Sequence, residues 1–209
     1  MSDWDGGAVR ARVRELAGLD PEWTRSGART HRYELTPALP EAAISAFEQR
    51  HGIRLPPDYR AFVAEVGDGP AGPAHGLMPL TTPRPEADED DPWAVDGEWE
   101  EDRLPGRLAA PFALTEPLPG AIGVHAAEEL VPGTLMLAEE GCGLYIRLVL
   151  TGPRAGEIWR LDPDWGGFVP AHPDFRAWYT TWLHDAPPTG TTPPGSPSGP
   201  PRGHQAAGP

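Results

Sequence analysis

Residues 144–150 set Leu144, Ile146, Leu148 and Leu150 against Tyr145, Arg147 and Val149. Alternation at period two marks a strand with two distinct faces. The pieces around it, 134–138, 157–161 and 167–169, are equally short, and the connections 140–143, 152–156 and 163–166 are brief and Gly-rich. Parallel neighbours need a crossover of a dozen residues or more, so connections of this length select consecutive antiparallel strands. A short apolar piece at 76–80 is expected to add another strand ahead of them.

Helical period brackets this meander. Val9, Val13 and Leu16 recur at i, i+4 and i+7 with arginines between them, which predicts a short amphipathic helix ending near Gly18. A second helix is expected from Pro40 to His51, with Ile44 and Phe47 on one face and Gly52 as its stop. Pro56 and Pro57 open a third, whose Tyr59, Phe62, Val63 and Val66 form one stripe before Gly67. A fourth follows Pro173 and Asp174 and carries Phe175, Trp178, Tyr179, Trp182 and Leu183, an aromatic face suited to docking on a sheet. Helices, a mostly antiparallel sheet, then a closing C-terminal aromatic helix describe an α+β fold.

The chain divides into an N-terminal helical extension at 1–29, a body at 30–185 and a tail at 186–209. That tail is almost entirely Pro, Gly, Ser, Thr and Ala. Such a composition has too little apolar mass to offset ordering entropy and is expected to stay disordered.

Charge and chemistry exclude several classes. The 17 basic residues are all Arg, so Schiff-base chemistry, a P-loop lysine and a lysine general base are absent from the sequence. The lack of lysine, with abundant Ala, Gly and Pro, fits the coding bias of a GC-rich bacterial genome. A net charge of −14 repels phosphates and anionic lipid, so neither nucleic acid nor membrane is an expected partner. Cys142 is the single cysteine, which rules out an intrachain disulfide and, with no signal-peptide pattern at the N-terminus, predicts a cytoplasmic location.

Candidate chemistry is sparse. Residues 67–72 fit a GxGxxG pattern, but they follow a helix where a dinucleotide site needs a strand, and Pro70 and Pro73 oppose the helix that should come next. Gly67 as a helix cap followed by a turn is the better reading. Cys142 lies between two glycines beside Glu139 and Glu140, carboxylates that oppose a thiolate, and is expected to be a small buried or turn residue. Seven scattered histidines show no metal or triad spacing, and neither the acidic run nor Asp162-Pro163-Asp164 has the Gly and bidentate Glu of a calcium loop. No catalytic residue, metal or cofactor is expected.

The acidic run is the distinctive feature. Residues 86–102 hold ten carboxylates and no basic group, and removing those ten from −14 leaves −4. A solvated, solubilising loop would account for the charge. It would not need Trp93 and Trp99, which suit an interface that sets indole anchors inside a ring of charge, or staples that fold back on the domain. The residues expected to bind a partner are Asp88, Glu89, Asp90, Asp91, Trp93, Glu98, Trp99, Glu100, Glu101 and Asp102.

Residues 34–80, with Phe47-Glu48, Gly52, Leu55-Pro56, Tyr59, Phe62 and a Gly-rich loop, closely resemble the fungal cell-wall-assembly regulator and its bacterial relatives in the SUKH superfamily. The Gly141-Cys142-Gly143 turn, Leu148-Val149, the Thr151-Gly152-Pro153 turn, Trp159 and the aromatic helix at 175–183 agree with it. The resemblance covers roughly residues 30–185, without the acidic insert. It implies an α+β fold and binding without catalysis: in bacterial members, commonly an immunity protein that silences a toxin domain; in the fungal relative, a regulatory scaffold. Combined with the charge, it leads to the expectation of a basic toxin domain as partner. The scaffold remains the alternative, with Pro193-Pro194 and Pro200-Pro201 serving as a tether or ligand. Glu48 and Tyr59 recur in the resembled motif, where packing of two helices is their expected role.

Overall fold

The computed structural model describes residues 4–81 and 101–185. Among these, six helices and five strands follow one another as α1 (Gly6–Leu19), α2 (Ala28–His31), α3 (Glu41–His51), α4 (Pro57–Glu65), β1 (Leu118–Pro119), α5 (Val124–Leu130), β2 (Thr134–Gly141), β3 (Leu144–Val149), β4 (Ile158–Asp162), β5 (Gly167–His172) and α6 (Phe175–His184). The strands make one antiparallel sheet in the order β1-β5-β4-β3-β2. The fold is α+β, with helices at both ends of the chain.

Local chemistry sets the boundaries. The Asp5 carboxylate accepts the Ala8 N–H at 2.9 Å to start α1, and Asp174 accepts the Ala177 N–H at 2.7 Å to start α6. Gly52 ends α3 in the left-handed region. β2 and β3 are joined by the two-residue turn Cys142-Gly143, both at positive φ, the geometry that continues the twist of the flanking strands. Cys142 is accordingly an exposed turn residue.

The main core lies on one sheet face. Leu135, Leu137, Ile146, Leu148 and Ile158 meet Ile44, Phe62, Val63 and the whole aromatic stripe of α6. A bulge in β2 turns both Leu137 and Ala138 onto this face. α1 belongs to the same core: Val9, Val13 and Leu16 are buried in it, and Arg12 Nε donates to the Leu183 carbonyl at 3.0 Å. Ahead of α1, Trp4 stacks edge-on to Phe62 and Tyr179, with centroids at 5.3 and 5.9 Å. The segment set apart as an N-terminal extension thus completes the packing of α4 and α6.

The opposite face is covered as well. Phe112, Ala127 and Val131 pack on Val149, Trp159, Leu161 and Phe168, with Phe112, Trp159 and Phe168 in mutual T-shaped contact. Thr151 pins this cover by accepting the Phe112 N–H at 2.9 Å and donating to the Ala110 carbonyl at 2.8 Å.

The apolar segment 76–80 is not a strand. The His75 and Met78 N–H groups donate to Glu139 and Leu137 carbonyls along the edge of β2, at 2.9 and 2.7 Å. Pro79 has no N–H to give, and the Asp68 carboxylate takes the Leu80 N–H at 2.6 Å, so the ladder stops. The segment still blunts an edge that would otherwise present unpaired backbone.

Candidate functional site

Two buried carboxylates fix the chain on either side of residues 82–100. Asp68, just past α4, accepts from the Leu80 N–H and, at 3.3 Å, from both the backbone and the hydroxyl of Thr81. Asp102 accepts the Met136 N–H at 2.7 Å and is ion-paired with Arg147, each side chain only 4% exposed. Arg103 bridges the two ends: its Nη2 donates to the Pro79 and Leu80 carbonyls at 2.9 and 3.1 Å. Burial pushes the Arg103 guanidinium down to about 10, against the opposing pull of Tyr59, Asp102 and Asp68, and it stays charged at neutral pH. The flanks of residues 82–100, at Thr81 and Glu101, are therefore fixed close to one another.

Beside this clamp, α3 and the chain at Leu80, Thr81, Arg103 and Pro105 enclose a groove of about 690 Å³. Phe47, Ala43 and Ala46 give it an apolar wall, and the cations Arg50 and Arg103 line it together with His51. Burial, with the nearby charges of Arg103 and Arg50, lowers the His51 pKa below its ordinary value. Glu48 faces the other way: it accepts the Leu55 N–H at 3.0 Å and Arg60 Nε at 3.2 Å, joining α3 to the entrance of α4. Tyr59 is 2% exposed, and burial pushes its hydroxyl pKa up. Both are packing residues.

Of the expected partner-binding residues, Asp88, Glu89, Asp90, Asp91, Trp93, Glu98, Trp99 and Glu100 lie outside the described residues, as does the 186–209 tail. Glu101 is exposed at the mouth of the clamp. Asp102 is corrected: its carboxylate is held internally by the Met136 N–H and Arg147 and is not free to pair with a partner's cation. The acidic run signalled charge but gave no sign that its last member turns inward. Arg147 alternates with Ile146 and Leu148 and so falls on the other face of β3, where the sequence gives no local sign that it is buried and paired.

The other candidates resolve as structural parts. Asp68, inside the GxGxxG-like string, caps Leu80 and Thr81, while Pro70 bridges Leu35. His31 is 1% exposed, with Nδ1 accepting the Tyr33 N–H at 3.0 Å. Among the described residues no three His, Cys, Asp or Glu side chains are grouped to hold a metal ion, and no helix is long and apolar enough to cross a membrane.

Residues 38–181, more than half of the chain, match the family model described as the SMI1 / KNR4 family (SUKH-1). No curated protein gave a match.

Proposed function

We propose, from the premise that this chain belongs to the SMI1 / KNR4 family (SUKH-1) and is a protein-interaction domain, that it neutralises a basic toxin domain by stoichiometric binding. Occlusion alone suffices for such a role, with no bond made or broken. The observation that supports this reading is the placement of charge. Eight of the ten carboxylates of residues 86–102 fall between Thr81 and Glu101, the two points that Asp68, Arg103 and Asp102 hold together. A dense negative segment tethered at one place complements the arginines and lysines with which a nuclease or similar toxin grips phosphate. Charge of this kind mainly raises the association rate, and buried apolar anchors set the lifetime.

The test is recovery of the tagged full chain from its native host at low salt, followed by coexpression with whatever coelutes. A basic polypeptide at one-to-one stoichiometry, whose toxicity the chain suppresses, is the expected result. A partner that harms no cell and whose regulation changes with this chain would favour the scaffold role. A purified chain that ignores cationic polypeptides would end the toxin reading.

A further inference from the structure

On the second face of the sheet, α5 lies over β3 and β4 and leaves a cleft of about 190 Å³. That is below the roughly 300 Å³ of a typical small-molecule pocket and suits one long side chain. The Asp102–Arg147 pair forms part of its wall and is self-neutralised. The remaining charged lining is Glu101, Glu128 and Asp164 against Arg107, an excess of two negative charges. Arg107 is already turned to α5, its Nη2 donating to the Glu128 carbonyl at 3.3 Å.

Next to Asp164 in the β4–β5 turn stands Trp165, 83% exposed. The turn is fixed, because the Trp165 N–H donates to Asp162 Oδ1 at 3.0 Å and the Pro163 carbonyl accepts from Ile122 and Gly123, both at 2.9 Å. Val124, which lines the cleft, is 59% exposed, and Leu118 on the neighbouring edge strand 37%. A solvated indole carried on a fixed turn, beside further exposed apolar groups, is the composition of an interface anchor.

We infer that this cleft receives an arginine or lysine side chain from the partner, with an adjacent apolar partner residue covering Trp165. The inference rests on the proposed basic partner and extends its footprint from Glu101, which lines the cleft, across α5 to the β4–β5 turn.

The test titrates the isotope-labelled full chain at low salt with a capped Arg-Leu-Arg peptide and a Glu-Leu-Glu control, following indole and backbone N–H shifts. Saturable shifts at Trp165, Val124 and Tyr145 are expected from the basic peptide alone. Affinity should fall at least fivefold in Trp165→Ala and in Glu128→Gln/Asp164→Asn, and stay within twofold in Glu22→Gln, an exposed carboxylate between α1 and α2. Binding that survives the cleft variants but is lost when Asp88, Glu89, Asp90 and Asp91 are neutralised overturns the cleft and leaves the basic-partner reading standing. No response to the basic peptide in any form of the chain overturns both. Concentration-dependent Trp165 shifts without peptide would make a second copy the occupant and likewise overturn the inference.

Discussion

Asp102 and Arg147 form a buried ion pair across the second face of the sheet, each side chain 4% exposed. The guanidinium is further satisfied by the Thr134 hydroxyl, which accepts from Nε at 2.7 Å, and the carboxylate by the Met136 N–H. Both partners are hydrogen-bonded beyond their contact with each other, the condition under which a buried pair is tolerated. The last carboxylate of the acidic run thus closes the fold of the edge strand.

Asp102→Ala should destabilise the domain by about 3–5 kcal/mol, because it leaves a buried guanidinium uncompensated and the Met136 N–H without its acceptor. Asp102→Leu/Arg147→Met removes both charges and should cost less than the single change. Urea denaturation midpoints of the three chains decide this. Equal losses in single and double variants would show that the hydrogen bond to Met136, and not the charge, matters.

Acid should weaken the fold in two separate windows. Burial, reinforced by the positive charge of Arg25 and by His75 and opposed by Asp20, pushes His31 from 6.5 down to about 4. The folded state holds this imidazole neutral, so its contribution is complete above pH 6.5 and declines as pH falls to 4, for a total of about 3 kcal/mol. Asp20 behaves oppositely in origin. Burial would raise it, but hydrogen bonds from the Thr24 and Arg25 backbone, the Thr24 hydroxyl and Tyr33 hold it down to about 2. Its contribution is present above 3.8 and is lost as pH falls through 2. His31→Asn keeps an acceptor for the Tyr33 N–H and cannot titrate. It should flatten the upper window only in part, since His51 shifts in the same direction. Stability curves at pH 7, 5.5 and 4.5 that run parallel in the two chains would contradict this assignment.

The elements legible in the sequence were those with a long period and clear punctuation. α1, α3, α4 and α6 appear within a few residues of the expected limits; alternation identified β3, and short segments between brief Gly-rich connections identified β2, β4 and β5. α2, β1 and α5 were not visible, because four, two and seven residues are too few to establish a period. The second core was hidden for a different reason. Val149, Trp159, Leu161 and Phe168 announce a buried second face, but its cover, around Phe112 and Val131, comes from Pro-rich chain with no regular pattern. At the candidate site, the charge of the acidic run was visible and its clamp was not. Asp68, Arg103 and Asp102 act through contacts 12 to 45 residues apart, which no local pattern encodes.

Trp4 ties the residues ahead of α1 to α4 and α6. Its ring, 6% exposed, meets Phe62, Phe175 and Tyr179, its N–H donates to the Asp58 carbonyl at 2.9 Å, and the Arg176 guanidinium lies 4.2 Å from its centroid. Trp4→Ala should cost about 3–5 kcal/mol through the cavity it leaves. For a domain of this size that lowers the melting temperature by roughly 10 °C. Trp4→Phe keeps part of the packing and should fall between. An unchanged melting temperature in Trp4→Ala would mean that the indole adds nothing to the packing of α4 and α6.

Neutralising Asp88, Glu89, Asp90 and Asp91 should act on the rate of encounter with the proposed basic partner. Exposed charges attract over about 10 Å at 0.1 M salt, beyond any contact distance, so they guide approach more than they hold the complex. Association at low salt should slow by about tenfold, with dissociation nearly unchanged. The same variant should lose most of its salt dependence, so that the wild-type and variant rates converge at high ionic strength. Trp165→Ala should do the reverse, leaving association alone and speeding dissociation, because an indole anchor contributes after contact. Stopped-flow association and dilution-induced dissociation on the recovered partner separate the two effects. If neutralisation accelerates dissociation and leaves the salt slope intact, those carboxylates are contact residues and the steering role is wrong.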